Sequence, residues 1–194
     1  MKKQPGEMLS AHCGPRQLLV VLVGVPGSGK STFAHALCNI PSSCQPRWCR
    51  VSQDVLGSRG RCIAAAEQAL RSGEHVIVDR CNFDAVQRSH WLGLRVSPPP
   101  THRIAVYLPV PLGEARRRVL ARPRHEGGVD AVSMSKAKIG QIVARMHRSL
   151  SPPQTDEGFD EVLRIGDAPG EREVVLQRVW SIAGEHGVGN GDEV

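Results

Sequence analysis

The sequence predicts an α/β domain: a parallel sheet of about five strands with helices on both faces. Three observations carry this. Short aliphatic runs alternate with helix-period stretches over nearly the whole chain. The runs lack polar alternation, as strands buried on both faces require. Glycine and proline clusters separate the segments, and no repeat interrupts the order.

The elements follow in sequence. Residues 18–23, LLVVLV, form an unbroken aliphatic strand, and a helix over about 30–39 follows. The loop PSSCQP leads to a short strand over 47–54 that ends in Asp54. A helix over 60–73 stops at Gly73. The run HVIVDR, at 75–80, is a second buried strand ending in Asp79. A helix over 84–96 is halted by SPPP, because proline has no N–H for the helix ladder. A strand over 103–110, basic helices over 112–122 and 133–150, a strand over 162–165 and a helix over 171–183 complete the pattern. The expected organisation is a loose tail over 1–16, one domain over 17–184 and a second tail over 185–194.

The junction after the first strand reads Gly24-Val25-Pro26-Gly27-Ser28-Gly29-Lys30-Ser31, which fits G-x-x-x-x-G-K-[ST] between a strand and a helix. Glycines 24, 27 and 29 let the backbone turn its N–H groups inward around an anion, and Ser28 lies within that turn. The following helix adds its positive end. Lys30 is expected to reach the β- and γ-phosphates of ATP, Ser31 to ligate Mg²⁺, and Thr32 to add a phosphate contact. The motif therefore predicts a P-loop NTPase-type sheet with ATP and Mg²⁺ as cofactors.

A phosphate loop alone names no reaction. The sequence has no Asn-Lys-x-Asp guanine-reading stretch, and it is short for a motor ATPase. Right-handed crossovers bring Asp54 and Asp79 to the sheet edge that carries the loop. One acid can deprotonate an acceptor hydroxyl while the other organises the metal, the layout of a small phosphotransferase. The formal charge of +6 concentrates in residues 111–150, where nine Lys or Arg face three acids, which suits a polyanionic acceptor. Only seven aromatic residues occur, so phosphate contacts are expected to outweigh base stacking. Trp48, Trp91 and Trp180 read as packing residues.

The six cysteines form no Cys-x-x-Cys pair and read as reduced thiols in an intracellular, reducing compartment, nucleus or cytoplasm. No apolar run exceeds about eight residues, far short of a membrane span.

The stretches GVPGSGKSTF, VSQDVLGSRGRC, ALRSGEHVIVDRCNFDAVQR and TDEGFDEVLRI, in this order over about residues 18–166, resemble the kinase domain of polynucleotide kinase/phosphatases and kinase modules of aprataxin-like proteins. The resemblance implies an ATP-dependent kinase acting on the 5′-hydroxyl of DNA or RNA ends, in strand-break repair or end healing. It implies Asp54 as general base, and Asp79 with Asn82 in the metal and acceptor network. Arg122 and Arg124 match the arginines of a mobile lid over the transferring phosphoryl group. Arg59 and Arg61 are placed to bind an acceptor phosphate. Two departures stand out: Gln53 where arginine is common before the base, and Arg80-Cys81 in place of the usual polar pair. The phosphatase often fused in this family has no room here, so a separate phosphatase or ligase is the expected partner of a monomer. The alternatives are a P-loop kinase of a small-molecule alcohol and a nucleotide-gated nucleic-acid-binding module. An Asp54→Asn variant separates the enzymes from the module.

Overall fold

The computed structural model describes residues 17–39, 47–122 and 135–184. Both predicted tails, over 1–16 and 185–194, lie outside the described residues, as does Arg124.

The strands are β1 (Leu18–Val23), β2 (Trp48–Ser52), β3 (His75–Asp79), β4 (His102–Tyr107) and β5 (Glu161–Arg164). All pair in parallel, in the order β2-β3-β1-β4-β5. The helices are α1 (Lys30–Cys38), α2 (Gln53–Leu56), α3 (Arg59–Arg71), α4 (Ala85–Leu92), α5 (Leu112–Ala121), α6 (Lys136–Arg148) and α7 (Glu171–Gly184). A 3-10 turn covers Thr155–Glu157.

β1 lies at the centre, and each of its six residues is fully buried. Leu18, Val20 and Leu22 pack with Phe33 and Leu37 of α1 and Val175, Val179 and Ile182 of α7. Leu19, Val21 and Val23 pack on the other face with Cys62, Ala66 and Leu70 of α3 and Trp91 of α4. Burying an aliphatic side chain of this size contributes about 2 kcal/mol, so β1 anchors both layers. A third cluster, built from Val25, Val110, Ala115, Val119, Ile139 and Val143, fastens the α5–α6 pair beside the phosphate loop. Trp91 is fully buried, and Trp48 and Trp180 pack against the core, as packing residues should.

Two local readings change. The strand expected over 47–54 stops at Ser52, and the chain turns into α2, closed by Gly57 at φ 80° with a 2.8 Å bond from its N–H to the Gln53 carbonyl. Asp54 therefore lies in the first turn of a short helix rather than at a strand end. The helix expected over 60–73 starts at Arg59, because the Ser58 side chain caps it by accepting from the Arg61 N–H.

Candidate active site

β1 delivers the chain into the phosphate loop at Gly24. Gly27 and Gly29 adopt φ 87° and 97°, the left-handed region that glycine enters without steric cost. Gly27 is constrained a second way, since a Cβ there would meet the Ala115 carbonyl oxygen at 2.5 Å. α1 starts at Lys30, so its first N–H groups open onto the loop. Lys30 is buried and donates to the Val25 carbonyl at 2.8 Å and to Ser28 Oγ at 3.3 Å. Ser31 is half-buried and Thr32 exposed.

The acids arrive from the other half of the sheet. β2 pairs with β3 so that Ser52 stands opposite Asp79, which carries Asp54 and Asp79 to the same edge as the loop. The Gly24 N–H donates to the Cys81 carbonyl at 2.9 Å and ties the two halves together. Asp79 is almost fully buried, with its charge met by Arg50, whose Nη2 and Nε donate to Oδ2 at 2.6 and 2.9 Å. Neither bond uses Oδ1. Charge-assisted hydrogen bonds of this kind offset the cost of taking a carboxylate out of water.

Lys30, Ser31, Asp54, Asp79, Arg80 and Arg122 line one cavity, together with Gln53 and Asn82. On the other side of the loop, Arg117, Arg118, Arg122 and Arg172 surround Gly27, Gly29 and Thr32. Arg122 thus borders both spaces. Arg118 also borders a third cleft with the segment following β5, from Ile165 to Gly170. Glu114 orders the arginines of α5. Hydrogen bonds from Arg117 and Arg118, at 2.7 and 2.6 Å, bring its carboxyl down to about 2.

Other predicted residues take different places. Arg59 and Arg61 are exposed on the first turn of α3 and do not line the cavity; Arg59 contacts His90 instead. Asn82 reaches the cavity wall, but its amide is engaged within the protein. Nδ2 donates to the Leu22 carbonyl at 2.8 Å, and Oδ1 accepts from Trp91 Nε1 at 2.8 Å. It shapes the loop after β3, at φ 42°. Behind it, fully buried Arg88 bonds Glu157 through Nε and Nη2 at 2.7 and 2.6 Å. Burial works against the Glu157 charge, yet Arg88 holds its carboxyl below the usual range.

Sequence reading missed Arg50, Arg80, Arg118 and Arg172 as parts of the site. The signal for Arg80 was its position directly after Asp79. Nothing local marks Arg172, which reaches Gly29 from the far end of the chain.

The glycine cradle and four surrounding arginines suit a nucleoside triphosphate. For Mg²⁺, Ser31 and Asp79 are hard oxygen donors on one cavity wall. No group of three or more His, Cys, Asp or Glu among the described residues could cage a metal. Mg²⁺ is commonly held by one or two protein oxygens together with substrate phosphates and water. Among the described residues no helix is long and apolar enough to cross a membrane.

Comparison with known proteins follows this geometry. The family profile described as AAA domain matches residues 19–65, from β1 into α3. Transcription factor bHLH140 of Arabidopsis thaliana is 33% identical over 153 residues, 76% of this chain and 16% of that protein. A putative bifunctional polynucleotide phosphatase/kinase of Acanthamoeba polyphaga mimivirus is 26% identical over 145 residues, 74% of this chain and 32% of that protein. The chain spans a third or less of these curated relatives. A fungal RNA kinase superposes with a TM-score of 0.66 at 13% identity, over 88% of this chain and 87% of that one. A gluconokinase from Sinorhizobium meliloti 1021 gives 0.53 at 20% identity, over 88% and 93%. These superpositions establish the fold alone, a parallel α/β sheet shared with both structures.

Proposed function

We propose, because the chain is a P-loop kinase relative of the bifunctional polynucleotide phosphatase/kinases, that it transfers the γ-phosphate of ATP to the 5′-hydroxyl of a DNA or RNA end. The observation that carries the reading is the shared cavity of Lys30, Ser31, Asp54, Asp79 and Arg122. It sets a hydroxyl-activating acid beside the loop that holds the donor.

In this reading the loop amides and Lys30 hold the β- and γ-phosphates, with the positive end of α1 behind them. Ser31 and Asp79 would hold Mg²⁺, which supplies charge neutralisation on the phosphate oxygens when bound. Asp54 takes the proton of the attacking 5′-hydroxyl, and exposure at the cavity mouth lets it pass that proton to water. Arg122, between the two spaces, stabilises negative charge on the phosphoryl group as it loosens from ADP. Arg124 would join it from outside the described residues. The product, a 5′-phosphate end, is what strand-break repair and RNA end healing require before sealing, so a phosphatase or ligase would act beside it.

The test is transfer from γ-labelled ATP to 5′-hydroxyl oligonucleotides, offered as single-stranded DNA, nicked duplex and RNA, with Asp54→Asn in parallel. Label should appear at the 5′ end, and the variant should lose about 10²–10⁴-fold in kcat while still binding ATP. Label on a small alcohol and on no polymer would make the protein a metabolite kinase. ATP binding with no acceptor at all would leave a nucleotide-gated binding module.

A further inference from the structure

α6 carries Lys136, Lys138, Arg145 and Arg148, and no acid over its 13 residues. Ile139 and Val143 bury one face of the helix in the cluster beside the phosphate loop. The next flank turns to α5, where the Gly140 carbonyl accepts from Arg116 Nη2 at 3.0 Å. Lys138, Gln141, Arg145 and Arg148 recur at helical spacing on the opposite flank, and all four are exposed. Met146, between that flank and the buried face, lines the cavity. The basic flank therefore runs beside the cavity rim in open solvent.

Helix stability does not account for this face. Lys136 and Lys138 stand in the first turn with no acid beside them, where the positive end of a helix disfavours a cation. Among the described residues no carboxylate pairs with Lys138, Arg145 or Arg148. On neighbouring α5, by contrast, Glu114 engages Arg117 and Arg118. A row of unpaired cations repels itself, and a polyanion laid along it relieves that repulsion while releasing its own counterions.

We propose that the basic flank of α6 is a track for the sugar–phosphate backbone of the acceptor strand, beyond the nucleotide whose 5′-hydroxyl reacts. The track rests on the nucleic-acid acceptor reading above and adds a length requirement to it. Lys138 and Arg148 lie 10 residues apart, which is about 15 Å along the helix axis. Strand phosphates advance about 3.4 Å per nucleotide along a duplex, so the flank meets about four of them. A dinucleotide is too short to follow it, whereas a longer strand gains contacts with no change at the reacting end. Phosphate contacts carry no sequence information, so the flank selects for length and not for base identity.

The probes are 5′-hydroxyl dithymidylate and octathymidylate. The variant is Lys138→Gln/Arg145→Gln/Arg148→Gln. The control, Arg47→Gln/Arg71→Gln/Arg95→Gln, strips exposed charges from the opposite end of the sheet. In the wild-type protein KM should be lower for the octamer by about tenfold or more. In the α6 variant that ratio should fall close to one, with kcat and the dimer KM unchanged. The log–log salt slope of octamer binding should flatten by about two units, while the control keeps both ratio and slope. Equal KM for the two lengths in the wild-type protein, or an undiminished ratio in the variant, overturns the track and leaves the kinase reading standing. An equal loss in the control also overturns it, since the effect then belongs to overall charge. Should the triple variant not fold, Arg145→Gln alone decides, with a slope flatter by about one unit expected and an unchanged slope overturning the track. If the wild-type protein labels no 5′-hydroxyl, the kinase reading falls, and binding of fluorescein-labelled octathymidylate decides the track by itself. A flatter slope in the α6 variant and not in the control supports it, and equal slopes overturn it.

Discussion

Trp91 donates its indole N–H to Asn82 Oδ1 at 2.8 Å from inside the core, and the same amide donates to the Leu22 carbonyl of β1. One side chain thereby sets the loop after β3 against both α4 and the central strand. Replacing Asn82 by Ala leaves a buried indole N–H and a buried carbonyl without partners. The loss should be about 2–4 kcal/mol, read as a lower urea midpoint at unchanged slope. Asn82→Asp retains the acceptor for Trp91 but not the donor for Leu22, and should also be destabilising.

Gly27 tests the phosphate loop. Alanine there meets both an unfavourable φ and the Ala115 carbonyl at 2.5 Å, so the loop and α5 must separate. Calorimetric titration of Gly27→Ala should show ATP affinity lowered by at least about tenfold, with stability reduced by more than about 1 kcal/mol. Native-like affinity would mean that the loop holds no phosphate.

Arg172 should belong to the donor side alone. It borders both donor-side spaces, and its Nε is buried without a partner. Arg172→Ala should raise the KM for ATP by about tenfold, the effect of one charge-assisted contact, while the KM for the acceptor stays near the wild-type value. Equal losses for both substrates would contradict the division of the cavity.

His75 supplies a pH dependence unrelated to catalysis. Its ring is fully buried beside Trp48, with Nδ1 accepting from the Leu18 N–H at 3.1 Å, and burial lowers its pKa from 6.5 to about 4. Between these values the unfolded chain binds a proton that the folded chain refuses. Stability should therefore fall as pH drops from about 6.5 to about 4, by as much as about 3 kcal/mol from this group, and His75 should contribute no further loss below that. Denaturation at half-unit pH steps, compared with His75→Gln, isolates the contribution: the variant should show a shallower loss across that window.

What local pattern encodes was readable and what distance encodes was not. The aliphatic run of β1 and the glycine spacing of the loop act within a dozen residues, and the structure places both where their chemistry requires. Asp54 was assigned to a strand end because the run from Trp48 continues until Gly57, and only the left-handed turn there reveals α2. Arg59 and Arg61 read as acceptor-phosphate contacts because they follow Asp54 closely, whereas the Ser58 cap, accepting from the Arg61 N–H, sets both on the exposed first turn of α3. Asn82 matched a motif, but its task depends on Trp91, nine residues on, and on Leu22, sixty residues back. Arg172 joined the site through the docking of α7, which no short window contains.

The strand order sends the residues that line the cavity out on separate stretches of chain. In the proposed function, residues after β2 and β3 would face the acceptor, while the phosphate loop, α5 and α7 would face the donor. In that reading, exchanges at Gln53 and Gln87, which line the cavity and leave Asp54 and Asn82 in place, should reshape which alcohol is admitted with little effect on how ATP is seated. The Gly24–Cys81 backbone bond ties the loop after β3 to the phosphate loop and so limits how far such remodelling can go. For protein engineering, such a fold is a socket with an interchangeable half, joined to the phosphate loop through the Gly24–Cys81 and Asn82–Leu22 contacts.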